Sequence, residues 1–376
     1  MATALFDLAA LEAYLQKRHA SAVVIDDVRQ LGSDNRGPDA LKQFGYGRPL
    51  LVTYRVVDAE ESQRQEVFHN IRRTPFGRER DDDRVAAVWL DYETFNQLPR
   101  HVRAVDRVGL DTEGQLGSLS RLRDLILVTT YQPGTVYAED LLSLRDGRAL
   151  EERDLSRAAD LARYLAQIHS RSFGEGDDVQ RRMLWQRRLR DLVGHGEGLM
   201  GLTDSYPLPL PYVDDQELQE LERLANAWRW RLKPLSHRLC QVHGDFHPFN
   251  IVFDEAEAFY VLDRSRGAWG EAADDVSCLS INYLFFSLQM GGRLASPFLE
   301  LYKRFWETYL QYRPDEDLFE AIAPWFAWRA LVVASPVWYP TIAESVRRQL
   351  LTFARQVMLV DRFDWEHVET YMEGAA

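Results

Sequence analysis

The sequence predicts an α+β chain in two lobes, a small β-rich N-terminal one and a larger, mainly helical C-terminal one. Three observations lead there. The chain has 376 residues, more than one compact core usually spans. Strand-like runs crowd the segment before residue 133, whereas 3.6-residue periodicity dominates after residue 135. Between them lies the turn dipeptide Pro133-Gly134, a natural hinge.

Taken in order, "LFDLAALEAYLQKRHA" spaces Leu5, Leu8, Leu11 and Leu15 as one face of an N-terminal helix within residues 1–20. Asp7 and Glu12 break any apolar core of a signal peptide. The small lobe, residues 21–133, opens with the β-rich runs "SAVVIDDV" and "PLLVTYRVV", with "RQEVFHNIRR" as a further strand. Gly45 and Gly47 in "LKQFGYGR" suit a tight hairpin between the first two. "DRVAAVWLDYETFNQL" is helical by the spacing of Val85, Val88, Trp89, Tyr92 and Phe95, and "DLILVTTYQPG" is a strong strand ending at the hinge. In the large lobe, residues 134–376, Ala158, Leu161, Leu165 and Ile168 form one helical stripe, and "QELQELERLANAWRWRLKPL" forms another helix, stopped near Pro234. "NIVF" and "AFYVLD" are short strands, and everything after about Asp274 reads as aromatic-rich helix.

Net charge of -13 argues against a nucleic-acid surface and suits a cationic partner. Two cysteines, Cys240 and Cys278, give neither a metal spacing nor a disulfide framework. No apolar run reaches membrane-spanning length, and a reducing cytoplasm is the expected compartment. The basic run "RRMLWQRRLRDL" reads as a solvated helix face. Trp306, Trp325, Phe326, Trp328, Trp338 and Tyr339 read as core, although such rings also hold cationic groups.

The chemistry concentrates in "VHGDFHPFNIVFD", Val242 to Asp254, followed by "FYVLD" ending at Asp263. An Asp, an Asn five residues on and a second Asp after the next strand form the layout of a phosphoryl-transfer loop. A transferred phosphoryl group carries several negative charges, and Mg²⁺ neutralises them through hard oxygen ligands. Asn250 and Asp263 offer such oxygens. Asp245 is then the group that receives the proton of an acceptor hydroxyl and aligns its oxygen. His243 and His247 stand at metal-ligand spacing, but no Glu or Cys completes a zinc site, so they are read as loop-shaping residues.

With Gly244 between His243 and Asp245, "HGDFHPFN" resembles the H-G-D-x-H-x-x-N loop of the aminoglycoside phosphotransferase and choline kinase superfamily. "VLDRSRGAWGEAADDVSCL" resembles that superfamily's metal-binding segment, which matches Asp263 to the metal ligand and Asp275 to a mostly structural helical Asp. "LARYLAQIH", ending at His169, is similar to its first large-lobe helix, and His169 is expected to pack. The resemblance implies a bilobal protein-kinase-like fold and ATP-dependent phosphorylation of a small-molecule hydroxyl, with GTP as an alternative donor and Mg²⁺ as cofactor. It puts the nucleotide under the hairpin of Gly45 and Gly47, against Thr130 and Tyr131 of "LVTTYQPG". Glu93 falls where the small-lobe helix carries the Glu that pairs with a strand Lys.

Two departures stand out. Lys17, Lys42, Lys233 and Lys303 are the only lysines, and none lies on "RQEVFHNIRR", where the phosphate-gripping Lys belongs. His69, Asn70, Arg72 and Arg73 stand there instead, with Lys42 as a neighbour. Arg264 and Arg266 follow Asp263 directly, and one of them is expected to replace the missing charge, although an arginine fork grips phosphate differently from a lysine. Glu271 and Asp274 suggest a cationic aminoglycoside or amino-alcohol as acceptor. Two rival functions remain open here, a Ser/Thr protein kinase of the same superfamily and a non-catalytic nucleotide- or partner-binding protein.

Overall fold

The structure is a computed structural model describing residues 6–31, 47–57, 63–72, 81–117, 124–174, 178–264 and 266–373. These pack as two compact units. The first contains the described residues up to 134 together with a returning segment, 254–264. The second contains residues 135–253 and 266–373.

In the first unit α1 (Leu8–His19) starts at Asp7, whose Oδ1 accepts from the Ala10 amide at 2.6 Å and satisfies one of the unpaired donors of the first turn. An antiparallel sheet follows, of β1 (Val23–Gln30), β2 (Leu50–Val56), β3 (Gln63–Asn70), β4 (Ala104–Leu110), β5 (Leu116–Gly117) and β6 (Asp124–Thr130), with α2 (Asp81–Thr94) inserted after β3. The spatial order is β1-β2-β3-β6-β4-β5. Side chains alternate across β6: Ile126 and Val128 join Leu11, Leu15 and Phe68 in one core, and Leu127 joins Val88, Phe95 and Val102 in another. A strand buried on both faces reads as a continuous apolar run, which is why "DLILVTT" is legible in the sequence.

β4 has no such signature. Asp106 and Arg107 interrupt its apolar residues, and its register shifts between Ala104 and Asp106. Both charges find partners that only the folded chain supplies. Asp106 accepts from the Tyr14 hydroxyl, and the Arg107 guanidinium lies 3.3 Å from the centre of the Trp89 ring.

The second unit comprises β7 (Thr135–Val136), α3 (Tyr137–Arg145), α4 (Glu152–His169), α5 (Asp178–Gly194), α6 (Leu199–Ser205), α7 (Asp215–Leu232), β8 (Cys240–Gln241) and β9 (Ile251–Phe253). After β10 (Phe259–Val261), which belongs to the returning segment, come β11 (Trp269–Gly270) and α8 (Ala272–Gly291). α9 (Phe298–Tyr312), α10 (Leu318–Ala321), α11 (Ala323–Ala334) and α12 (Glu344–Val357) complete the unit. β7 pairs with β9, and β11 with β8, both antiparallel.

At its centre is α8, buried at every position from Ala272 to Leu288. A helix apolar on all sides belongs inside a packed unit, and α3, α4, α9, α11 and α12 all pack on it. Its N-terminus presents Glu271, Asp274 and Asp275, all fully buried, where the positive end of the helix dipole favours negative charge. The expected aromatic core is present: Trp306, Trp325, Phe326, Trp328, Trp338 and Tyr339 are all buried. Cys240 and Cys278 are free and buried. No helix among the described residues is long and apolar enough to cross a membrane.

Candidate functional site

β8 delivers the chain to His243, Gly244 and Asp245. Gly244 has φ +88°, a conformation that side chains other than hydrogen resist, and a Cβ there would approach Arg266 Cβ to 3.1 Å. Glycine in "HGD" is therefore a steric requirement of this turn. The loop hangs from α8. Asp275 Oδ2 accepts from the His243 amide and Oδ1 from the Gly244 amide, each at 2.7 Å. His169 holds the same carboxylate, with Nε2 3.1 Å from Oδ2 and Nδ1 2.9 Å from the Tyr309 hydroxyl. Burial pushes the Asp275 carboxyl up, but the bonds from His169 and the charges around it prevail and leave it low. Burial pushes His169 down, against the pull of Asp275. His169 is buried as expected, and it also holds Asp275, the carboxylate from which the loop hangs.

Asp245 sits in a ring of cations. Arg329 Nη1 donates to its Oδ1 at 2.7 Å, and Arg266 Nη2 lies 3.7 Å from the same oxygen. His247 Nδ1 accepts from the Phe249 amide at 3.2 Å, so the ring proton belongs on Nε2, which stands 3.6 Å from Asp245 Oδ2. Burial raises this carboxyl, yet Arg266, His247 and Arg329 together hold it well below the ordinary carboxylate range. Asp245 is ionised at neutral pH. Asn250 ends the short helical turn Pro248–Asn250, and its Nδ2 donates to the Asp245 carbonyl at 3.0 Å. That bond fixes the amide with its oxygen as the remaining acceptor, which suits a hard cation.

The returning segment belongs to the first unit. Its Val261 bridges His101, its Phe259 lies under Arg100 at 4.9 Å, and Leu262 packs with the core of Val88 and Phe95. Asp263, exposed at its end, has φ 54°, a left-handed conformation that costs a residue with a Cβ about 1–3 kcal/mol and gathers at functional positions. Arg264 is fully buried, and its Nη1 donates to the Thr94 carbonyl at the end of α2 at 2.9 Å. This guanidinium acts as an internal strut of the first unit and offers no exposed charge to a phosphate. Arg266, in the second unit, pairs with Glu197 at 3.0 Å and faces Asp245.

Of the residues expected around the nucleotide, Gly45 and Lys42 lie outside the described residues. Gly47 bridges Ile71, and a Cβ on it would collide with the Asn70 carbonyl, so only glycine permits this close pairing. Arg72 is exposed just past β3, and Tyr131 is half-buried after β6. The Thr130 hydroxyl accepts from the Arg103 amide at 3.0 Å. Glu93 is on the solvent face of α2, where its Oε1 accepts from Trp89 Nε1 at 2.7 Å. Asp91, two positions earlier, is buried. On β3, His69 lies 3.0 Å from the Thr129 hydroxyl, and burial pushes its imidazole down to about 4. At neutral pH this strand therefore presents a neutral ring where a lysine was missed.

Sequence reasoning overlooked Arg188, Glu197 and Arg329. Asp274, fully buried, accepts from Arg188 Nη2 on one oxygen and from Arg329 Nη2 at 2.6 Å on the other. A lone arginine in "WFAWRALVVA" was the available signal, because a charge in an apolar buried helix must be paired. Arg188 is buried as well, so "RRMLWQRRLRDL" is not a uniformly solvated face. The carboxylates expected to attract a cationic acceptor are internal: Glu271 is bound by Arg238 at 2.7 Å, and Asp274 by the two arginines. Contrary to expectation, these two residues therefore offer no negative charge to an ammonium-bearing acceptor.

A family model, "Phosphotransferase enzyme family" (APH), matches residues 92–318, over half of the chain. The chain belongs to this family and is a phosphotransferase. No curated protein matches it in sequence. Among solved structures it is similar to the amicoumacin kinase hAmiN in complex with AMP-PNP, Ca²⁺ and Ami, at 13% identity and TM-score 0.50, covering 95% of this chain and 97% of that one. It is also similar to ADP-bound aminoglycoside phosphotransferase APH(2'')-Ib, at 15% identity and TM-score 0.47, covering 94% and 99%. The choline kinase LicA from Streptococcus pneumoniae gives 15% identity and TM-score 0.46, covering 92% and 98%. At 13% identity and TM-score 0.50, the likeness to the amicoumacin kinase establishes the kinase-like α+β fold and nothing finer.

Proposed function

We propose that the chain transfers the γ-phosphoryl group of ATP to a hydroxyl of a small molecule. The observation that carries this reading is the ionised carboxylate of Asp245, held on a loop whose backbone is bolted to Asp275 and whose Asn250 keeps an amide oxygen available. The presence of AMP-PNP and Ca²⁺ in the amicoumacin kinase complex supports a nucleoside triphosphate and a divalent ion as co-substrate and cofactor here.

Asn250 and Asp263 are the proposed oxygen donors to Mg²⁺, which when bound supplies charge neutralisation for the phosphates. Asp245 orients the acceptor hydroxyl and takes up its proton as the oxygen attacks phosphorus. With its basicity suppressed by Arg266, His247 and Arg329, Asp245 works chiefly by alignment, and proton transfer comes late, once the attacking oxygen has lost electron density. Since Glu271 and Asp274 are spent on internal arginines, the acceptor need not carry an ammonium group.

The test is ADP release from Mg·ATP against a panel of sugars, amino-alcohols and aminoglycosides, preceded by a thermal-shift titration with ATP and with GTP. The reading requires a nucleotide-dependent shift and at least one acceptor that accelerates ADP release in the native chain and not in Asp245→Asn. Absence of any nucleotide shift would instead support a partner-binding protein that has kept the fold.

A further inference from the structure

The neighbourhood of Asp245 contains a device that the reaction outlined above does not require. Arg329 projects from the middle of α11, is 4% exposed, and divides its guanidinium among three oxygens. Nη1 donates to Asp245 Oδ1 at 2.7 Å. Nη2 donates to the Gly244 carbonyl at 3.0 Å and to Asp274 Oδ1 at 2.6 Å. Asp274 is itself fixed by the N-terminus of α8 and by Arg188. The guanidinium plane also lies 3.9 Å from the centre of the Trp328 ring, whose Nε1 is anchored to the Glu197 carbonyl at 2.7 Å. A planar fork held on one face and on two edges has one orientation.

We infer that Arg329 is a positioning residue for phosphoryl transfer: it locks Oδ1 of Asp245 and thereby selects Oδ2 as the oxygen that meets the acceptor hydroxyl. The inference rests on the proposed reaction but not on the identity of the acceptor. A carboxylate on a short side chain turns readily about its last bond. With Oδ1 pinned from α11, and with the Gly244 carbonyl pinned by the same group, neither the side chain nor the peptide preceding it can rotate. Oδ2 then keeps its place on the side away from Arg329, 3.6 Å from His247 Nε2, longer than an ordinary hydrogen bond. Lysine could not do this, because a single ammonium cannot span Asp245, Gly244 and Asp274 in one plane.

The test uses the full chain, Mg·ATP and water as the acceptor, with Arg329→Ala, Arg329→Lys and, as a purely structural comparison, Arg347→Lys. Arg347 is a buried arginine whose hydrogen bonds among the described residues go to the carbonyls of Ala334, Tyr339 and Ile342, with its guanidinium over the Tyr212 ring, and it has no bond to the catalytic loop. Positioning predicts that both Arg329 variants lose about 10²-fold in the kcat of ADP release while KM for ATP stays within a factor of about two. Guanidinium ion, added below unfolding concentrations, restores part of the Arg329→Ala loss and none of the Arg329→Lys loss. Arg347→Lys lowers thermal stability without lowering kcat. Equal kcat in the native and Arg329 variants, or a loss shared by kcat and nucleotide binding that guanidinium does not repair, overturns the inference.

A crystal structure of Arg329→Lys gives a readout independent of turnover. The Asp245 carboxylate should be rotated or split between conformers, and an unchanged single conformer overturns the inference as well. Should the native chain release no ADP, the proposed reaction fails, while this structural comparison still decides whether Arg329 sets the carboxylate.

Discussion

The two units handle charge in opposite ways. In the second, buried arginines converge with buried carboxylates on one loop: Arg188 and Arg329 on Asp274, Arg329 and Arg266 on Asp245, and His169 on Asp275. In the first, β3 presents neutral His69 where a lysine was expected, and Arg264, one of the two arginines expected to compensate, is used as an internal strut. The contrast teaches that the catalytic-loop carboxylates are each held by several partners, whereas the described part of β3 presents a neutral ring. Breaking a buried charge array is costly, so changes in the second unit should be severe, and charge in the first should be open to improvement.

The largest effect belongs to Asp245. Asp245→Asn keeps the volume and the loop but removes the carboxylate proposed to take up the hydroxyl proton. Steady-state assays should show kcat falling about 10²–10⁴-fold with nucleotide binding retained. Asp275→Ala removes the acceptor of two backbone amides and the partner of His169. Urea unfolding should show a loss of about 3–5 kcal/mol, the range for an uncompensated buried network. An effect near that of a surface substitution would mean that the loop does not depend on α8.

The first unit supplies the opposite test. His69→Lys should tighten ATP by up to about tenfold, equivalent to about 1.4 kcal/mol, read by calorimetry. Weaker binding would show that β3 is not the phosphate-facing strand. Both His69 and His169 have imidazoles held down in the folded chain. Their contribution to stability is therefore complete above the ordinary histidine value, near pH 6.5, and is lost as pH falls toward the depressed folded values, because the unfolded chain takes up protons first. Thermal unfolding between pH 7 and 4.5 should show that decline, with a shallower slope in His169→Gln. The smallest effect is expected at Glu93, on the solvent face of α2: Glu93→Gln should change stability by less than about 0.5 kcal/mol.

Much of this was legible in the chain itself. The continuous apolar run of "DLILVTT" and the stripe of Leu161, Leu165 and Ile168 are local patterns, and they became β6 and α4. The loop from His243 to Asn250 was legible because its chemistry demands particular residues within a few positions of one another. β4 was not, since Asp106 and Arg107 look solvent-bound until Tyr14 and Trp89 are folded against them. Arg329 is 84 residues from Asp245, and no local pattern links the two. Glu93 lies on the solvent face of α2 and Asp91 on a buried one: two positions are some 200° of rotation, a phase that the motif alignment did not carry.

Phosphorus-31 NMR of the native chain with Mg·ATP and an acceptor from the panel tests the central claim most directly. The account predicts a new phosphomonoester resonance growing in step with ADP, and none with Asp245→Asn. ADP accompanied only by inorganic phosphate, or the same ester formed at equal rate by the variant, would contradict it.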